Sequence, residues 1–194
     1  MIEVEKKFIL TAEQEKELIE GAEFLSEKKF TDIYYDDAKF SLTTNDIWLR
    51  ARDGRFELKV PMDRLAGKRI TDQYRELNTD SDILEYFKAG PDEVLVDFLH
   101  KKGYEPFCKL ITTRRKYKKD GFSIDLDSVD FGYTIAEVEY IVENEEKLKE
   151  VEDSIMIFAK KHNIISAGVR YGKLIEYLKR NNPKHFQAIV QSWK

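Results

Sequence analysis

The 194-residue chain is poor in residues that carry much of protein chemistry: one cysteine, three histidines and four prolines. The single thiol, Cys108, can form no intrachain disulfide and reads as a plain apolar residue. With no disulfide framework, the cytosol (a cytoplasmic protein) is the expected compartment. His100, His162 and His185 fall in segments of helical pattern, away from the charged motifs below, and read as structural or surface groups. No apolar stretch approaches the ~20 residues needed to cross a bilayer, and the first residues are a charged strand rather than an apolar leader. No membrane association is therefore expected. Neither sign of charge dominates: 33 Lys and Arg stand against 37 Asp and Glu, a net −4 spread evenly, which argues against nucleic acid as the main partner. Repeats and low-complexity stretches are absent too. The length suits one domain, 1–194, with a core that needs no staples.

What the chain has is charge at alternate positions. In a β-strand successive side chains point to opposite faces. Glu3, Glu5 and Lys7 therefore share one face, with Ile2 and Val4 on the other. The pattern returns with Trp48, Arg50 and Arg52 against Ile47, Leu49 and Ala51, and with Glu57 and Lys59 against Leu58 and Val60. It returns again with Asp72, Tyr74 and Glu76, and with Thr112, Arg114, Lys116 and Lys118. Ser123, Asp125 and Asp127 oppose Phe122, Ile124 and Leu126, and Glu137, Glu139 and Ile141 oppose Ala136, Val138, Tyr140 and Val142. Seven segments thus have strand periodicity with one apolar and one charged face. Arg114 to Lys119 resembles an RNA-binding run, but alternation leaves only Arg115 and Lys119 for the outer surface.

A sandwich would turn the apolar faces together. A closed or nearly closed antiparallel barrel does the reverse: helices cover its apolar outside and charge lines its lumen. Helices are available. Thr11-Ala12-Glu13-Gln14 is a capping box opening a short helix that Gly21 can end. Pro91 sits near the start of a helix over 92–99, closed by Gly103. Leu148, Val151, Ile155, Phe158 and Ala159 recur at helical spacing, and 173–178 and 183–193 read as two more helices. The connections 63–69 and 88–91 are expected to be the least ordered.

Acids and bases in one enclosure are costly unless they pair or meet a ligand. Arginines and lysines in this number suit a chain of phosphates. Carboxylates cannot touch phosphate, but they hold Mg²⁺ or Mn²⁺, which bridge protein oxygens to phosphate oxygens. Together the two sets describe a site for a metal-chelated polyphosphate.

The succession Glu3-x-Glu5-x-Lys7, Trp48-Leu49-Arg50-x-Arg52, Glu57-Leu58-Lys59, Glu76, Arg114, Asp125-Leu126-Asp127 and Glu137-Val138-Glu139 resembles the CYTH or triphosphate tunnel metalloenzyme superfamily. The resemblance runs from Met1 to about Leu178. Asp32-x-Tyr34-Tyr35-Asp36, Asp130-Phe131-Gly132-Tyr133 and Lys173-Leu174-Ile175-x-Tyr177-Leu178 make it similar to the animal-type thiamine triphosphatase branch. It implies an α+β fold, a closed antiparallel eight-stranded β-barrel with helices outside. It implies Glu3, Glu5, Asp125, Glu137 and Glu139 as metal carboxylates, with Mg²⁺ as cofactor and Mn²⁺ as a substitute. It implies Lys7, Arg50, Arg52, Lys59, Arg114 and Lys173 as triphosphate-binding bases, and a tunnel position for Glu76. The implied activity is hydrolysis of the terminal phosphoanhydride of a small-molecule triphosphate by a monomer.

Such hydrolysis needs the substrate chain held straight, its charge offset and a water aimed in line at the terminal phosphorus. A second metal ion, Lys59, or a carboxylate such as Glu76 or Glu139 could activate that water, and the sequence does not choose. Trp48 shares a face with Arg50 and Arg52, where its ring could stack on a cationic heteroaromatic such as thiazolium.

Overall fold

A computed structural model describes residues 2–61, 73–142, 147–164 and 171–192, and all their side chains except those of Ile2, Glu3 and Gln73. Among these residues the chain is α+β, with eight strands and six helices. The strands are β1 (Ile2–Phe8), β2 (Glu23–Asp36), β3 (Trp48–Arg52), β4 (Arg55–Pro61), β5 (Gln73–Leu77), β6 (Glu105–Lys119), β7 (Phe122–Val129) and β8 (Tyr133–Val142). The helices are α1 (Ala12–Ile19), α2 (Asp80–Tyr86), α3 (Leu95–Lys101), α4 (Leu148–Lys161), α5 (Lys173–Asn181) and α6 (Pro183–Ser192). No helix among the described residues is long and apolar enough to cross a membrane. Two compact units result, Met1–Lys29 with Ile111–Glu176 and Phe30–Leu110 with Tyr177–Lys194. Strands β2 and β6 each contribute one part to each unit.

In the first unit β1 pairs with β8, β8 with β7 and β7 with β6, all antiparallel. Residues directly opposite across such a ladder share a face. Glu5 faces Glu139, Lys7 faces Glu137, Asp125 faces Glu137 and Arg114 faces Asp127, so the charged faces of four strands coincide. The opposite face carries buried Val4, Phe8, Ile124, Leu126, Ala136 and Val138. Helix α4 lies against β1 and β8 and buries Val151, Ile155, Phe158 and Ala159, the stripe its spacing predicts. Phe122 meets Phe158 with ring centroids 4.7 Å apart. Thr11 and Gln14 form the capping box of α1.

The second unit is built on a β5–β4–β3–β2 meander. Opposite residues are Asp32 and Arg52, Tyr34 and Arg50, Arg50 and Glu57, Trp48 and Lys59, and Lys59 and Glu76. Leu49, Leu58 and Val60 turn the other way, into a core closed by Ile83, Leu95, Phe98 and Leu99 of α2 and α3. Two Asp-Gly pairs set the phase of this alternation in their respective units. Asp53-Gly54 links β3 to β4 and Asp120-Gly121 links β6 to β7, all four residues at φ between 47° and 87°. Arg52 pairs with Arg55 and Lys119 with Phe122, so each loop has two residues, as type I′ turns require. A slip of one residue would send every charge to the apolar face.

Three elements depart from the sequence expectation. Strand β2 was not legible over its full 14 residues, because its first half is mostly exposed on both faces and has no apolar row. Helix α2, capped by the Thr79 side chain on Asp82 N, is short and carries one fully buried residue, Ile83. Helix α3 starts at Leu95 rather than 92, because Glu93 N is taken by a turn bond to Gly90 O. The connection 63–69 lies outside the described residues.

His185 is fully buried in the second unit and proves structural. Asn182 Oδ1 accepts from its backbone N–H, and Pro183 opens its helix, α6. The ring stacks on Phe40 with centroids 3.8 Å apart, and Nε2 lies 2.7 Å from Thr43 Oγ1. That hydroxyl donates to Asp36, which also accepts from the Leu42 and Thr43 N–H groups. Burial lowers the imidazole pKa from 6.5, with Asp36 opposing. The unfolded chain therefore binds the extra proton first, and stability rises with pH across that window. Stability should be complete above about pH 6.5 and be lost as pH falls below it. Urea midpoints between pH 5 and 7.5 check this, and His185→Phe should flatten the slope.

Candidate active site

In the first unit the β1–β8 ladder puts Glu5 opposite Glu139, and the two-residue step along β8 adds Glu137. All three are buried, and each can offer one carboxylate oxygen within 4.8 Å of the others. Three hard oxygens with neither sulfur nor imidazole fit Mg²⁺ or Mn²⁺. The side chain of Glu3 lies outside those described, though its backbone pairs with Ile141. Asp125 lies outside the trio, and its oxygens face Arg114 and Lys116.

Arg114 organises this face. Its Nε and Nη2 grip Asp127 at 2.6 and 2.7 Å, Nη2 reaches Glu137 at 2.7 Å, and Nη1 donates to Asp125. Burial opposes its charge, but the carboxylates around it raise its pKa above the ordinary value. Lys173, at the start of α5, is buried and donates to Asp127 at 2.5 Å. Lys7 pairs with Glu5, and its stem runs beside Gly172, where a Cβ would meet Lys7 Cε at 3.3 Å. Lys116 is held protonated by Glu139 and Asp125 against the effect of burial. Burial raises the Asp125 pKa, with Arg114 and Lys116 opposing.

In the second unit Arg52 forms a two-pronged pair with fully buried Asp32, Nε to Oδ1 at 2.7 Å and Nη2 to Oδ2 at 3.0 Å. Its guanidinium stands 4.2 Å from the centroid of Phe30. Arg50 donates to Glu57 through Nε at 2.7 Å and lies 3.9 Å from Asp32. Burial opposes its charge, while Tyr34, Asp32 and Glu57 raise its pKa. Tyr34 is itself buried, and burial raises its pKa. Lys59 pairs with Glu76 at 2.5 Å. Burial works against the Glu76 carboxylate, but Lys59 holds its pKa below the ordinary range. Trp48 is half-buried on the same face, opposite Lys59.

Alternation thus groups Glu5, Lys7, Arg114, Asp125, Glu137 and Glu139 in one unit, with Lys173 delivered from a helix. Trp48, Arg50, Arg52, Lys59 and Glu76 gather in the other. Lys118 shares the face of Arg114 but is exposed near the hairpin turn. Asp32 and Tyr34 were missed as site residues, because β2 lacks the apolar alternation that would have announced its face; their parity with Asp36 was the available signal.

The CYTH domain family matches residues 1–169. A thiamine-triphosphatase of Macaca fascicularis is 28% identical over 211 residues, covering 98% of this chain and 90% of that protein. The human thiamine-triphosphatase is 29% identical over 210 residues with the same coverage. A solved protein of Pyrococcus horikoshii, 23% identical, matches with a TM-score of 0.66 over 92% of this chain and 99% of its own. A Hippeastrum protein, 14% identical and described as having a dominant triphosphatase activity, matches at 0.56 over 92% and 95%. At such identities these two structures speak to the fold alone.

Proposed function

The chain belongs to the CYTH domain family, and on that premise we propose that it is a metal-dependent thiamine triphosphatase. It would hydrolyse the terminal phosphoanhydride of thiamine triphosphate to thiamine diphosphate and phosphate. The full-length similarity to thiamine-triphosphatases supports the substrate. The observation that carries the reading is the buried Glu5, Glu137 and Glu139 trio on a face that also bears Lys7, Arg114 and Lys173. In this reading the eight strands close into one tunnel, in a single domain. The ladders within each unit support it by giving β1, β3, β4, β7 and β8 a charged side and an apolar one.

Lys7, Arg50, Arg52, Lys59, Arg114 and Lys173 hold the phosphates as point charges and planar forks. Glu5, Glu137 and Glu139 are the acidic side of the site, and Glu3 and Asp125 are the further metal carboxylates of this reading. A metal ion held by Glu5, Glu137 and Glu139 would supply positive charge to offset that of the phosphates. Three fixed guanidiniums leave little reorganisation for the moment of reaction, the main source of electrostatic catalysis. The Lys59–Glu76 pair, with its carboxylate held ionised, is suited to orient the attacking water.

Selectivity is assigned to Trp48, whose ring would stack on the thiazolium. A cation–π contact of about 1–2 kcal/mol predicts that Trp48→Ala lowers kcat/KM for thiamine triphosphate by roughly five- to thirty-fold. Activity on inorganic tripolyphosphate, which has nothing to stack, should barely change, and equal losses on both would remove Trp48 from selectivity. The phosphate-binding face by itself suits tripolyphosphate equally, so that is the competing substrate. A phosphate-release panel of thiamine triphosphate, tripolyphosphate and ATP with Mg²⁺ tests the proposal. Dominance of either of the last two overturns the thiamine assignment. No release from any would leave a polyphosphate-binding module.

A further inference from the structure

Asp32 has no part in the function above, yet it is a fully buried carboxylate locked onto an arginine that has one. The β2–β3 ladder sets it directly opposite Arg52. Their contact is side-on: Arg52 donates from Nε to Oδ1 at 2.7 Å and from Nη2 to Oδ2 at 3.0 Å. Two residues back on β2, the Phe30 ring faces the same guanidinium, with its centroid 4.2 Å from Cζ. One edge and one face of the fork are thereby fixed. The terminal edge, Nη1 with the second Nη2 hydrogen, is left for another acceptor. The Arg52 side chain is 25% exposed and that of Asp32 not at all, so the carboxylate is the anchored end and the guanidinium the open one. Arg50 is held differently. Its Nε and Nη2 converge on a single oxygen, Glu57 Oε2, at 2.7 and 2.6 Å, and the Glu57 side chain is 23% exposed. Glu57 can swing into water when a phosphate arrives. Asp32 cannot, because a buried carboxylate that loses its partner is left as an uncompensated charge.

We propose that Asp32 is a positioning residue: it holds Arg52 by its side edge both before and after substrate arrives, so that the terminal edge meets the phosphate chain already oriented. The inference rests on the phosphate-binding role given to Arg52 above. A guanidinium fixed beforehand needs no reorganisation as charge develops on the phosphates, and the fixing falls to a residue that need not touch substrate.

A double-mutant cycle of Asp32→Asn and Arg52→Gln tests this, read in kcat/KM for thiamine triphosphate where circular dichroism shows every variant folded. Asparagine keeps the volume, drops the charge and turns an N–H toward Arg52. Asp32→Asn alone should lower kcat/KM by up to about 10²-fold, the cost of a misplaced binding group. In the Arg52→Gln background it should cost less than about two-fold more, since it acts only through Arg52. A further loss of the same size in that background would overturn the proposal. Should Asp32→Asn not fold, nitrogen–proton NMR of the wild-type arginine side chains decides, with Arg52 assigned by its loss from the Arg52→Gln spectrum. On addition of inorganic tripolyphosphate the Arg52 Nη signals should shift while the Nε–H signal stays in place and protected from exchange. Stationary Nη signals, or an Nε–H that loses protection, overturn the proposal. Additive losses in an enzyme that hydrolyses thiamine triphosphate overturn the role of Asp32 alone. A wild type that releases no phosphate from thiamine triphosphate, tripolyphosphate or ATP overturns the hydrolase reading, and the NMR titration then still decides whether Asp32 holds Arg52 for phosphate.

Discussion

Arg114→Ala is expected to lose about 3–5 kcal/mol of folding stability at neutral pH, the usual cost of removing one partner from a buried ion pair. The guanidinium touches three carboxylates, Asp125, Asp127 and Glu137, none of them more than 8% exposed at the side chain. Lys116 still faces Asp125 and Lys173 still faces Asp127, while Asp125, Asp127 and Glu137 all lose the guanidinium. A buried carboxylate without its partner takes up a proton more readily than in the unfolded chain. Its penalty is then complete above the raised folded-state pKa and shrinks as pH falls through it. Urea denaturation at pH 8 and pH 5.5 should show the larger deficit at pH 8. Equal deficits at the two pH values would mean that Arg114 stabilises by packing rather than by charge.

Glu139→Gln is expected to lower metal-dependent hydrolysis by about 10²–10³-fold while leaving the fold intact. The amide keeps the volume and one oxygen but drops the negative charge, at the residue shared by the trio and by Lys116. Fold retention is expected because Glu139 is buried against Ser123 and Glu5, and losing one of two facing acids relieves repulsion. Phosphate release at saturating Mg²⁺, with circular dichroism as the control for folding, checks both halves. Activity within a few-fold of wild type would remove Glu139 from the metal site.

The legible part of the site was the part written at every second position. Glu5, Arg50, Arg52, Lys59, Glu137 and Glu139 could be assigned to one face each because their neighbours Val4, Leu49, Ala51, Leu58, Ala136 and Val138 are apolar and now prove buried. Asp32 lacked that flank on its N-terminal side, where β2 is mostly exposed, and went unassigned although it is fully buried. Lys173 lies on a helix, so no strand parity could bring it to Asp127; only the family resemblance pointed to it.

Parity and turn chemistry were intrinsic to the chain. Alternating charge against apolar residues chose the faces, and two Asp-Gly hairpins with positive φ locked the register, since each is decided by residues adjacent in sequence. Which acid meets which base was decided only in three dimensions. Asp125 and Glu5 match one another as carboxylates in the sequence, yet one faces Arg114 and Lys116 while the other joins Glu137 and Glu139. Ladder partners lie far apart along the chain, and Coulomb attraction at 3 Å depends on that pairing and not on composition.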